Sequence, residues 1–290
     1  MTLAPAPAPL RTAVSSAALL ASTYRRLDAA CPSLDVEVAG PGTPAGQNWV
    51  DIAELAGRPG LLEDFLREEE ARIMDQHDHR ARPDVVASRL LHNCLWSVCL
   101  LLSGPWYLAG RVPLTRPKDV RIGRREDRYQ VVPGAFACLP GDPAEGLPGV
   151  RAVSGEAALG EVLRTAVADL VRPLCAALAP RVRRGPRALW GMVEDDLVSG
   201  IWYVGRMLGE EGKAVAAAGR LLPGPVAPFP AGAGFRWLTD AAGTPHPTRD
   251  RAGCCLYYTI RPEDACTTCP RTRDAERLRR IEAERTAPAG

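Results

Sequence analysis

Four of the nine cysteines in this 290-residue chain fall within sixteen positions near the C-terminus. Cys254 and Cys255 are adjacent, ten residues follow, and Cys266 and Cys269 form a Cys-x-x-Cys. The turn of a Cys-x-x-Cys lets two sulfurs converge on one metal, and a hairpin in the intervening residues would return the second pair to the first. Gly253 permits a close backbone approach before the first pair, and Pro270 stops the chain cleanly after the last. The adjacent pair is unusual, because neighbouring side chains of an extended backbone point to opposite sides. Both can ligate where the backbone is irregular, or where they reach different metals of one cluster. The second arrangement favours a two-iron cluster, with two thiolates on each iron, over a single zinc. By residue type alone three chemistries stay open: a four-thiolate zinc site, a pair of disulfides, and an iron–sulfur cluster. Structural zinc sites usually space both pairs as Cys-x2–4-Cys, and disulfides would suit a secreted chain.

Other side chains offer less. Arg249, Arg251 and Arg261 flank the cysteines and are candidates to face an anionic ligand, and His246 precedes the motif by eight residues. Arg271 and Arg273, with the terminal helix, are candidates to dock an acidic partner, against the plainer expectation of a solvated helix face. Asp75, His77, Asp78 and His79 contain a His-x-His but sit at the polar end of a charged helix, where exposure is expected. His92 lies on an apolar helix and reads as a hydrogen-bonded core histidine. Glu194-Asp195-Asp196 read as an acidic run at a helix start that suits the helix dipole. Trp190, Trp202 and Tyr203 read as core, and Tyr257 and Tyr258 as packing beneath the cysteines. No Gly-x-Gly-x-x-Gly fingerprint or P-loop is present. No catalytic residue beyond the cysteines is expected.

The remaining cysteines, Cys31, Cys94, Cys99, Cys138 and Cys175, stand among apolar residues or beside a proline and read as inert thiols. Unpaired thiols imply a reducing compartment, so the expected location is the cytoplasm. Net charge is only +2, which argues against nucleic acid as a partner. The basic residues are nearly all arginine, with Lys118 and Lys213 the only lysines. The longest apolar stretch, Leu95 to Leu102 and loosely on to Leu108, falls short of the ~20 residues a membrane span needs. The expectation is therefore a protein that is not transmembrane, with peripheral membrane association left open. The Ala/Pro-rich start lacks the pattern of a secretory signal.

These side chains must be held by the elements around them. Residues 1–9 read as a disordered tail and 10–29 as a helix. Leu34 to Val38 reads as a strand, 61–76 as an amphipathic helix, and Asp84 to Leu102 as a buried helix ended by Gly104-Pro105. Three short strands follow, Asp119–Ile122, Arg128–Val132 and Ala135–Leu139, with a charged turn from Gly123 to Asp127. Two helices span about 155–178 and 186–220, and 223–234 is an irregular link. Leu256 to Ile260 reads as a strand between the cysteine pairs, and Arg271 to Arg285 as a charged terminal helix. The sum is a helix-rich α+β protein: a body over 10–222 with a small β-sheet, and a C-terminal four-cysteine module over 235–286.

The string Cys254-Cys255-Leu256-Tyr257-Tyr258, with Cys266-Thr267-Thr268-Cys269-Pro270, resembles the C-terminal motif of the FhuF-like ferric siderophore reductases. That family carries Cys-Cys-x10-Cys-x2-Cys. Leu189-Trp190-Gly191 is similar to the family's Leu-Trp-Gly-Asn run, although Met192 stands where the Asn would be. The helix around Ser88 to Leu102 adds a generic likeness. The resemblance is specific only over the cysteine segment. It implies a 2Fe–2S cluster bound by Cys254, Cys255, Cys266 and Cys269. It also implies an oxidoreductase that gives one electron to a ferric siderophore and releases iron(II), fed by a separate ferredoxin-like donor. Cluster potentials span about −700 to +450 mV, and all-cysteine ligation favours the lower part. The alternatives are a zinc-stabilised siderophore- or protein-binding module without redox activity, or a cluster used for sensing.

Overall fold

In a computed structural model, residues 15–40, 42–44, 46, 48–124, 128–263 and 265–286 are described. The expected tail at 1–9, the first residues of the expected first helix and part of the charged turn at 123–127 lie outside them.

The elements run α1 (Ser16–Ala30), β1 (Asp35–Val38), β2 (Trp49–Asp51), α2 (Ile52–Gly57), α3 (Pro59–His77), α4 (Pro83–Ala109), β3 (Arg111–Pro113), β4 (Val120–Gly123), β5 (Arg128–Val131), β6 (Phe136–Cys138) and β7 (Val150–Ala152). Then follow α5 (Glu156–Val182), α6 (Pro186–Met207), α7 (Glu211–Leu221), β8 (Phe235–Thr239), β9 (Pro245–Arg249) and α8 (Asp274–Thr286). The helix-rich α+β class holds, but the strands form three sheets rather than one. The largest has the order β1-β5-β4-β2, with β1 parallel to β5 and the other pairs antiparallel. A second has the order β3-β6-β7, and β8 and β9 make an antiparallel hairpin.

Helix α4 is the axis of the core. It packs most extensively on α5 and α6, and also on α1 and α3. Seventeen of its residues are buried, from Val85 to Pro105. Gly104 lets α1 come close, since a Cβ there would stand 2.5 Å from a Leu27 methyl. The helix does not stop at Gly104-Pro105: it continues for another turn and ends at Gly110, which is left-handed at φ 61°. Pro105 removes one backbone donor, but packing on both sides outweighs that loss. At 27 residues α4 is long and apolar enough to cross a membrane, so the expectation of no such segment needs correction. However, 78% of its most apolar stretch is buried inside the protein, as befits a core helix.

The single helix expected over 186–220 is two helices. Leu208, Gly209 and Glu210 break it, with Gly209 at φ 70°, and α7 folds back on α6. Gly205 permits that close return: a Cβ there would lie 2.2 Å from the Ala214 Cβ.

Candidate iron–sulfur site

The cysteine segment lies on the N-terminal half of α6, and two glycines set the approach. A Cβ on Gly191 would sit 2.9 Å from the Ala252 carbonyl oxygen, and one on Gly253 would sit 2.8 Å from the Met192 nitrogen. Helix and loop therefore touch backbone to backbone just before the first cysteine.

The acidic run on α6 holds that contact. Glu194, Asp195 and Asp196 are fully buried in mid-helix, not at a helix start as the sequence reading had it. Asp195 accepts from the backbone N–H of Ala252 at 3.1 Å and of Gly253 at 2.6 Å. It also accepts from Arg249 Nη2 at 2.8 Å. Glu194 accepts from the N–H groups of Ala231 and Gly232 in the link before β8. Burial pushes its carboxyl up, and those two amides pull the other way. Asp196 accepts from His92 Nδ1 at 3.0 Å.

Arg249 cannot face a ligand. Its side chain is completely buried, spent on Asp195, the Ala233 carbonyl and Ser199. The substrate-facing role expected for it is corrected on that ground. His246 is buried too, with Nε2 2.8 Å from Asp240 across the β8–β9 turn. It lines a cavity of about 290 Å³ that includes Thr267 of the Cys-x-x-Cys turn but none of the four cysteines, so it stands beside the turn and not at the sulfurs. Arg261 pairs with Glu263.

Arg251 does reach the site. Its Nη1 donates towards Cys266 Sγ at 3.8 Å, and its side chain is 7% exposed. Nε lies 3.5 Å from Asp195 and Nη2 3.6 Å from Asp196, and neither nitrogen makes a hydrogen bond although both are buried. Burial opposes the charge on Arg251, but the two aspartates outweigh it and keep the guanidinium firmly protonated.

After Cys255 the chain turns sharply at Leu256, which is left-handed at φ 63°. That conformation costs a branched side chain on the order of 1–2 kcal/mol. It resolves the problem of the adjacent pair, because an irregular backbone lets both thiols face one space. The strand expected from Leu256 to Ile260 is instead a 3-10 turn over Tyr257–Thr259. The Cys269 N–H bonds to the Cys266 carbonyl at 2.9 Å and closes the second turn.

All four cysteines line one cavity of about 210 Å³, with Tyr257 and Tyr258 in its wall. Arg89 lies over the Tyr257 ring at 4.9 Å and Arg271 over the Tyr258 ring at 4.4 Å. Cys255 and Cys269 are buried, Cys254 is half-buried and Cys266 is exposed. Burial pushes the Cys254 thiol up, and the nearby Cys255 and Cys269 push it further. Among the described residues no three His, Cys, Asp or Glu side chains converge as ligands of a single ion. Two iron atoms sharing four thiolates need two sulfurs each, and the four thiols that line this cavity supply that number.

The terminal helix secures the ring from behind. Arg277 of α8 is buried and donates to the carbonyls of Cys269, Thr272 and Arg249. Arg280 donates to the carbonyls of Ala265 and Glu263. Arg280 thus clamps the ten-residue loop and Arg277 the chain on either side of the cysteine segment, where the sequence offered a solvated helix face or a docking surface. Arg271 and Arg273 remain exposed. His77 and His79 are half-buried, and His77 packs edge-on against Tyr257 at 5.7 Å.

A soft all-thiolate donor set, a glycine cradle and a buried cation beside the sulfurs define the class: a protein with a C-terminal four-thiol site for a metal or iron–sulfur cluster. Residues 251–271 match the family model of the FhuF 2Fe-2S C-terminal domain, which agrees with the resemblance to the FhuF-like ferric siderophore reductases. The match assigns a 2Fe–2S cluster as the cofactor and begins at Arg251. No curated protein matches the chain.

Proposed function

We propose that the protein is a 2Fe–2S ferric siderophore reductase, taking iron(III) to iron(II) in the cytoplasm with electrons from a separate ferredoxin-like donor. The observation that carries this reading is the ring of Cys254, Cys255, Cys266 and Cys269 around one cavity, within the segment that matches the FhuF domain. When bound, a 2Fe–2S cluster supplies one electron at a time, which is the stoichiometry of ferric reduction. Ferric iron is held by anionic oxygens, and lowering its charge weakens those bonds.

The chain's own residues supply the setting. Asp195 and the Gly191–Gly253 contact fix the loop that presents Cys254 and Cys255. Arg277 and Arg280 fix the loop that presents Cys266 and Cys269. Arg251 places a positive charge beside the Cys266 sulfur. Exposure of Cys266 keeps the site near the surface, where electron entry and exit are short. The test is a single turnover. Protein reduced with dithionite and desalted is mixed with a ferric siderophore, and iron(II) is trapped by a chromophoric chelator. Stoichiometric iron(II) from the intact protein, and none from Cys266→Ser, is the expected result. A reduced protein that leaves every ferric chelate untouched contradicts the reading.

A further inference from the structure

The thiol cavity, once filled by its cofactor, leaves no room for a chelate, so a substrate must dock against its wall. A second cavity meets that condition. It measures about 420 Å³ and shares two residues, His92 and Arg251, with the thiol cavity. Thr267 and Thr268, the two residues between Cys266 and Cys269, also line it. The Cys-x-x-Cys turn is therefore a partition, with its sulfurs on one side and its threonines on the other.

The lining has the chemistry of a binding site. Trp96, Trp202 and Tyr203 form aromatic walls, with Trp96 and Tyr203 edge-to-face at 5.7 Å. Arg72, Arg206 and Asn93 add polar groups, held in place by Glu69 and Glu211. Arg251 contributes two buried nitrogens that make no hydrogen bond within the protein. Those nitrogens face Asp195 at 3.5 Å and Asp196 at 3.6 Å, so the guanidinium stands in the wall as a fixed, carboxylate-paired cation. Volumes of this size and mixed aromatic and polar walls are usual for small-molecule sites. The cavity beside His246 is a poorer candidate, since it touches Thr267 but neither His92, Arg251 nor any of the four cysteines.

We infer that this cleft binds the oxygen-donor ferric chelate, with the Thr267–Thr268 turn and the His92–Arg251 wall as the short path for the electron. The inference rests on the reductase reading above. In the reaction one electron leaves the reduced protein and iron(III) in the chelate becomes iron(II). No bond to the protein forms or breaks.

Gallium(III) replaces iron(III) in such chelates and is not reduced, so binding can be read apart from redox chemistry. The probes are gallium complexes of a trishydroxamate, a tricatecholate and citrate, titrated against the fluorescence of the cleft tryptophans and checked by equilibrium dialysis. At least one complex is expected to bind the intact holoprotein. Trp96→Ala is expected to weaken it tenfold or more while leaving the visible spectrum of the cofactor unchanged. Arg72→Gln is a second variant expected to weaken it in the same sense; because Arg72 also bonds the buried Glu69, its melting curve and visible spectrum are recorded alongside to show that it is folded and loaded. Binding by none of the complexes, or equal binding by the intact protein and Arg72→Gln together with a folded Trp96→Ala, overturns the cleft. Binding that the variants weaken, with no ferric chelate reduced in a single turnover, upholds the cleft and sinks the reductase reading instead.

Discussion

Asp195 has the heaviest structural duty of any single residue at the site. One carboxylate holds the Ala252 and Gly253 amides and neutralises the fully buried Arg249. Removing one member of such a pair leaves a buried charge alone, at a cost of about 3–5 kcal/mol. Asp195→Ala is therefore expected to lose that much stability in denaturant titration and to retain little iron. Arg251 acts differently, as a positive charge and donor beside Cys266. Hydrogen bonds to sulfur and local charge set the potential of an iron–sulfur centre, and a cation favours the reduced form. Arg251→Met is expected to lower the midpoint potential. Each ~59 mV of that shift corresponds to a tenfold change in a one-electron equilibrium. A redox titration that finds the potential unchanged or raised contradicts this role. The four cysteines were legible from type and spacing alone. Asp195 was not, because an acidic triplet in a helix looks the same whether it meets water or buried amides. Its partners lie more than fifty positions away in Arg249, Ala252 and Gly253.

At the scale of elements, α6 is the platform and its glycines are the contact points. Gly191→Ala drives a Cβ into the Ala252 backbone, which cannot yield as a side-chain tip would. Gly205→Ala drives one into Ala214 of α7, far along the same helix. Overpacking of this kind typically costs about 1–3 kcal/mol. The two substitutions are expected to separate: Gly191→Ala lowers iron retention, whereas Gly205→Ala lowers the melting temperature and leaves the visible spectrum intact. Loss of iron from both in equal measure would mean that α6 does not act locally on the thiol loop. Helices with clear apolar periodicity, α3, α5 and the first part of α6, were readable from the chain. The run of α4 through Pro105 was not, because local propensity says stop and only the burial between α5 and α6 says continue. The β8–β9 hairpin was also missed. Pro245 and Pro247 argue against a strand, yet an isolated two-stranded hairpin tolerates them.

For the whole molecule, the cysteine segment is part of the packing rather than an appendage. Cys255 belongs to the main core, and Leu256 and Ile260 join Ile73, Val85 and Val86 in a smaller cluster under α3 and α4. The division into a body and a module could be drawn from the link at 223–234, but that shared packing could not, since it depends on how the two meet. The helix-rich class was evident from pattern. The placement of the cleft behind the Cys-x-x-Cys turn required the fold, because Trp96 on α4, Tyr203 on α6 and Thr267 are remote in sequence. Metal analysis of anaerobically prepared protein, joined to the electron paramagnetic resonance of its dithionite-reduced form, tests the cluster most directly. Two iron atoms and two acid-labile sulfides per chain, with the signal of a reduced 2Fe–2S centre, are the predicted result. Zinc in place of iron, or iron without sulfide, would contradict it.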